Sequence, residues 1–133
     1  MTFSSPRKRF GQHFLRDSQV IQRLVLAIAP HREQHLVEIG PGKGALTLPL
    51  LQQGCQLDVI ELDRDLVQQL ELSVGSSRQL RIYPADALKF DFKQLVTHGQ
   101  PLRIVGNLPY NISTPLLFHL LNYANDIQDM TFM

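Results

Sequence analysis

Three acidic or glycine-rich points along the chain have the types and spacing of a nucleoside site. Gly40, Gly42 and Gly44 form a Gly-x-Gly-x-Gly run directly after the β-prone stretch Leu36-Val37-Glu38-Ile39. Glycines in a strand-to-helix turn let backbone approach a ligand that any Cβ would push away. Glu61 ends a second β-prone stretch twenty-one residues after Gly40. A carboxylate in that place can accept both hydroxyl protons of a ribose through charge-assisted bonds. Asp86 follows a third such stretch and could hydrogen-bond an adenine amino group. The glycine spacing differs from the Gly-x-Gly-x-x-Gly of dinucleotide enzymes, and no Lys-Ser/Thr pair completes a phosphate-binding Walker loop. Gly40, Glu61 and Asp86 at successive strand ends read together as an adenosine-type pocket.

Those residues need a scaffold that brings strand ends to one edge. Asp17 is placed to cap a helix to about Ala29, with Ile21, Leu24, Val25 and Ile28 on one face and Pro30 beyond. A helical stretch through Leu46–Leu51 follows the glycines and ends at Gly54, with Pro49 as an irregularity. Leu57–Glu61 reads as a strand, Arg64–Leu72 as a helix, Leu80–Tyr83 and Leu102–Val105 as further strands. Ser113 is a candidate cap for a helix to about Tyr123, with Pro115 in its first turn. Met130–Met133 reads as a fifth strand just beginning. Strands alternating with helices predict an α/β chain, a parallel sheet with helices on both faces. The expected organisation is a basic segment over residues 1–16 and one incomplete domain over 17–133.

Composition narrows the classes. The 133 residues are 44% hydrophobic and 19% charged, an ordinary globular balance. No apolar run is long enough to span a bilayer, so no membrane partner is expected. Cys55 is the single cysteine, which excludes an internal disulfide and a cysteine zinc cluster; no metal is expected, and a reducing cytoplasm is the expected compartment. The net charge of +1 hides an asymmetry: residues 1–34 carry +4 and residues 35–133 carry −3. The Arg7-Lys8-Arg9 run is a candidate handle for a polyanion. Asp63 and Asp65 read as solvated loop acids, as do His31 and His35 around Glu33; Cys55 reads as a structural thiol, and His119 shows no partner.

The tetrapeptide Asn107-Leu108-Pro109-Tyr110 follows the fourth strand. It resembles the Asn-x-Pro-aromatic signature of methyltransferases that use S-adenosylmethionine to modify exocyclic amino nitrogens. The residue types suit that chemistry. An aromatic amino group is a poor nucleophile because its lone pair is delocalised. The Asn107 side-chain oxygen and the Leu108 carbonyl are two acceptors that can bind its two hydrogens and favour a more tetrahedral nitrogen. Pro109 stiffens the turn, and Tyr110 offers a face for a flipped-out base. Alignment of nitrogen, methyl carbon and sulfur carries most of the catalysis, and no strong general base is required.

The resemblance goes further. Arg-Lys-Arg-Phe-Gly-Gln-His-Phe-Leu over 7–15, Val-Glu-Ile-Gly-Pro-Gly-Lys-Gly over 37–44, Val-Ile-Glu-Leu-Asp over 59–63 and Gly-Asn-Leu-Pro-Tyr-Asn-Ile-Ser-Thr over 106–114 are similar to the KsgA-type 16S ribosomal RNA adenine N6,N6-dimethyltransferases. That resemblance implies a Rossmann-like class I methyltransferase fold. It implies methyl transfer to two adjacent adenines near the 3′ end of 16S rRNA, a role in small-subunit biogenesis, and a monomer. It places His13 and Leu15 at the cofactor beside Gly40, Gly42, Glu61, Asp86 and Asn107, with Phe10 and Phe14 in a lid and Arg7, Lys8 and Arg9 on RNA phosphates. It also implies further strands and a helical C-terminal domain that these 133 residues do not contain. Two rivals share features of the pattern: a non-catalytic RNA-binding or assembly factor on the same fold, and an NAD-dependent oxidoreductase, against which the glycine spacing and the Asn107 tetrapeptide argue.

Overall fold

The computed structural model describes residues 17–97 and 99–133. Asp17 opens the first helix, α1 (Ser18–Ile28), by accepting a 2.9 Å hydrogen bond from the Gln19 N–H. Ala29 closes it in a left-handed conformation. β1 (His35–Ile39), β2 (Gln56–Glu61), β3 (Leu80–Pro84), β4 (Leu102–Gly106) and β5 (Ile127–Phe132) form one sheet in the order β3-β2-β1-β4-β5. Every neighbouring pair is parallel.

Parallel strands need crossovers, and these coat both faces. On one face α1, α2 (Thr47–Gln52) and α3 (Arg64–Val74) pack Ile28, Leu50 and Leu70 against Leu36, Leu57 and Val59. On the other face α4 (Tyr110–Leu120) sets Leu116 and Leu120 against Val37, Ile39 and Ile104. A 3-10 turn over Phe92–Leu95 adds Phe92, edge-on to Phe90 at 5.1 Å between ring centres. The expected class, with helices on both faces, holds.

The differences from expectation have local causes. α2 begins at Thr47, so Pro49 lies in its first turn, where no intrahelical N–H is needed; its apparent irregularity disappears. α4 begins at Tyr110 rather than beyond a Ser113 cap. Pro109, with φ −68° and ψ 158°, starts it, and its carbonyl accepts from both Ile112 and Ser113 N–H. Pro115 is therefore past the first turn, in the helix interior. After Leu120 the chain tightens into a 3-10 segment, Leu121–Asp126, instead of continuing as α-helix to Tyr123. β5 is a full six-residue strand and starts three residues earlier than expected.

Arg103 explains why β5 sits where it does. It is buried on β4, and its guanidinium donates to the Ile28 and Ala29 carbonyls, to the Gln34 side chain at 2.8 Å and to both Asp129 oxygens. One side chain thus satisfies the end of α1 and ties β5 to the sheet. Asp58 does similar work at the amino edge, between His35 at 2.5 Å and Arg81 at 2.8 Å. His35 is therefore a buried first residue of β1, not the solvated loop residue expected from its polar neighbours. Cys55 is buried with Sγ 3.5 Å from the Leu50 carbonyl, as a structural thiol should be.

Candidate active site

Strand register decides what meets at the carboxyl edge. Ile39 pairs with Ile60 and with Gly106, Ile60 with Tyr83, and Gly106 with Phe132. The next row is therefore Pro84, Glu61, Gly40, Asn107 and Met133, in spatial order. Neighbouring parallel strands are about 4.8 Å apart, so Glu61 and Asn107 stand roughly 10 Å apart across Gly40. Asp86 extends the row two residues past Pro84 on the Glu61 side. The structure thus brings Asp86, Glu61, Gly40 and Asn107 to one edge in that order.

Each member is held by identifiable bonds. Glu61 is buried, with Oε1 accepting from the Gly42 N–H at 3.2 Å and Oε2 from the Asp63 N–H at 3.0 Å. Its carboxylate is fixed between the glycine loop and the start of α3, leaving its remaining lone pairs for a ligand. Asp63 is no solvated loop acid. Its carboxylate caps α3 by accepting from Asp65 and Leu66 N–H at 2.9 and 3.3 Å. An Asp immediately before a helical period signals such a cap in the sequence. Asp86 accepts from the Leu88 N–H at 3.0 Å through Oδ1 alone.

Gly106 ends β4 where a side chain would crowd the sheet, since a Cβ there would stand 3.0 Å from the Ile39 carbonyl oxygen. This lets the following turn lie flat against β1. Leu108 then packs over both strand ends: a Cβ on Gly40 would stand 3.2 Å from Leu108 Cδ2, and one on Gly106 3.5 Å from its Cδ1. The Leu108 N–H donates to the Met133 carbonyl at 3.3 Å. Among the described residues no group donates to the Leu108 carbonyl, and the Asn107 amide makes no hydrogen bond. Among the described residues, both acceptors of the tetrapeptide are thus without a donor. Tyr110 is 89% exposed at the head of α4, leaving its ring face free. A shallow concavity of about 580 Å³, with Glu71, Gly75 and Ile82 in its lining, lies at the far end of α3 and β3, and no member of the row lines it.

The loop above Gly42 is open, since a Cβ there meets nothing within 4 Å. Fixed carboxylates at one end, a bare glycine turn in the middle and free acceptors at the other fit an extended nucleoside cofactor bearing an amino-acid tail. Two residues at this edge drew no functional reading from the sequence. Glu38 on β1 is buried, and its Oε1 accepts a 2.6 Å hydrogen bond from Thr47 Oγ1 at the start of α2. An acid inside an otherwise apolar strand was the available signal. His13, Leu15, Phe10, Phe14, Arg7, Lys8 and Arg9 lie outside the described residues. His119, without a visible partner in the sequence, bonds through Nε2 to the Phe90 carbonyl at 2.6 Å.

Known proteins are similar to this chain in sequence and in fold. Ribosomal RNA small subunit methyltransferase A of Pseudomonas aeruginosa is 58% identical over 127 residues, 96% of this chain and 47% of that protein. The chain spans about half the length of the curated relatives it matches. The crystal structure of the 23S rRNA methyltransferase ErmE is similar with a TM-score of 0.73 and 27% identity, over 89% of this chain and 47% of that one. A dimethyladenosine transferase from Plasmodium falciparum follows at TM-score 0.67 and 25% identity, over 86% and 41%. The family profile described as ribosomal RNA adenine dimethylase matches residues 3–133, and this chain belongs to that family.

Proposed function

We propose that the protein transfers methyl groups from S-adenosylmethionine to N6 of two adjacent adenines near the 3′ end of 16S rRNA, giving N6,N6-dimethyladenosine during small-subunit biogenesis. The observation that supports this reading is the ordered row Asp86, Glu61, Gly40, Asn107 with two acceptors, at Asn107 and Leu108, that no described residue engages.

S-adenosylmethionine, when bound, supplies an electrophilic methyl on a sulfonium. Asp86 holds the adenine amino group, Glu61 the ribose hydroxyls, and Gly40 and Gly42 let the chain approach the amino-acid tail. The Asn107 oxygen and the Leu108 carbonyl accept the two hydrogens of the target amino group and stabilise positive charge as it develops on nitrogen. Pro109 fixes the direction of that carbonyl, and Tyr110 stacks on the extruded base. His13 and Leu15 complete the cofactor site, and Arg7, Lys8 and Arg9 meet RNA phosphates from a separate basic segment over residues 1–16. Residues 17–133 form the first part of the catalytic domain. The substrate is 16S rRNA in the small subunit or its precursor, met in the cytoplasm by a monomer.

Calorimetric titration tests the cofactor. Binding of S-adenosylhomocysteine, weakened by Glu61→Ala, is the expected result. Binding of NAD with no S-adenosylhomocysteine binding would instead support an oxidoreductase. A non-catalytic RNA-binding factor would bind S-adenosylhomocysteine yet leave the RNA unmethylated.

A further inference from the structure

Glu38 and Thr47 take part in no step derived above. Glu38 lies two residues before Gly40, and Thr47 is the first residue of α2. Their 2.6 Å bond closes the base of the glycine loop, whose residues 40–46 run between them. Both side chains are buried, so the clasp is held inside the fold. An O–H···O contact of this length is in the range of a charge-assisted bond.

Burial pushes the Glu38 carboxyl up to about 7, against the Thr47 hydrogen bond that lowers it, and the Glu61 charge raises it further. Among the described residues the surrounding charges are few. Glu61 faces it from β2, and α2 carries no titratable side chain. Arg103 shares its sheet face from β4 but is committed to Asp129 and the end of α1. Lys43 in the loop is exposed. Two acids one strand apart at one edge make a place where added positive charge is strongly felt.

We propose that Glu38 is a proton-linked positioning residue: clasped to the glycine loop through Thr47, it gives up its proton to solvent when a cationic nucleoside ligand occupies the edge, and keeps it when the ligand is neutral. This rests on the proposed function, in which the donor is a sulfonium cation and the product a neutral thioether. Ionised Glu38 then favours the donor over the product, and the preference strengthens as pH rises. A tenfold preference of this kind corresponds to release of about 0.4 proton at pH 7.

The test is calorimetric titration of the protein with S-adenosylmethionine and with S-adenosylhomocysteine, at pH 6, 7 and 8, in buffers of different ionisation enthalpy. The wild type is expected to release about 0.4 proton with the sulfonium ligand at pH 7 and less than 0.1 with the thioether. Glu38→Gln is expected to abolish the difference and flatten the pH dependence of the affinity ratio. Thr47→Val, which removes a bond favouring the charged form, is expected to move the release to higher pH, and it serves if Glu38→Gln does not fold. Equal proton release for the two ligands, or release unchanged in both variants, would overturn the proposal while leaving the proposed function intact. Failure of the wild type to bind either ligand would overturn that function, and this proposal with it.

Discussion

Gly40→Ala probes the contact that joins the cofactor loop to the amino-group acceptors. Gly40 has φ +67° and Gly42 φ +59°, so alanine at either position enters the left-handed region at a cost of about 1 kcal/mol. The two differ in what the new methyl meets. At Gly42 it meets nothing within 4 Å, whereas at Gly40 it stands 3.2 Å from Leu108 Cδ2. Leu108 can yield a few tenths of an ångström, but its other methyl already lies close to Gly106. The resulting crowding adds about 1 kcal/mol, the low end for overpacking. Gly42→Ala should therefore lose about 1 kcal/mol and Gly40→Ala about 2, each kcal/mol lowering Tm by roughly 3–5 °C at this chain length. Urea unfolding of both variants, of Leu108→Ala and of the Gly40→Ala/Leu108→Ala pair checks this. The pair should recover about 1 kcal/mol relative to additivity. Equal losses for the two glycines, with strict additivity at Leu108, would refute the contact and the positioning of Asn107 that follows from it.

Other perturbations test other links. Arg103→Met removes bonds to two α1 carbonyls, Gln34 and Asp129, and should cost about 3 kcal/mol in urea unfolding; Asp129→Asn should cost less, because Asp129 is 43% exposed and can be hydrated. The raised Glu38 pKa means that the folded state holds a proton which the unfolded chain has lost between pH 4.5 and about 7. Its contribution to stability is therefore fully present below about pH 4.5 and falls by on the order of 3 kcal/mol as pH rises to 7; Glu38→Gln should remove that component of the unfolding profile. Asn107→Ala should slow methyl transfer by about a hundredfold or more, with little change in S-adenosylhomocysteine affinity, measured by single-turnover kinetics and calorimetry. Replacing Arg7, Lys8 and Arg9 by glutamine should reduce the slope of log affinity for RNA against log salt by about 2; an unchanged slope would make that run a solubilising tail.

Most of the row was legible because its signals are local. A β-prone run ending in Gly40, another ending in Glu61 and a third before Asp86 locate three strand ends without knowledge of the fold, and the Asn107 tetrapeptide marks a fourth. What stayed hidden depends on contacts between distant residues. His35 looked solvated beside Glu33 because its partner Asp58 is twenty-three residues away on another strand. The start of β5 was hidden because Asp129 interrupts its apolar run, and its partner Arg103 lies on another strand, β4. Ser113 looked like a helix cap because serine commonly is one, yet the fixed φ of Pro109 starts the helix earlier. Glu38 carried its meaning in burial, which a sequence shows only as an acid among apolar neighbours. The family resemblance drawn from four motifs holds across residues 3–133.

The two acceptors at Asn107 and Leu108 are proposed to direct methyl transfer to adenine N6. The most direct measurement of this role is incubation with labelled S-adenosylmethionine and small ribosomal subunits lacking this modification, followed by nucleoside mass spectrometry. Labelled N6,N6-dimethyladenosine is expected at two adjacent positions near the 3′ end of 16S rRNA, nearly absent with Asn107→Ala. Label on another atom or base, or near-normal dimethylation by Asn107→Ala, would contradict it.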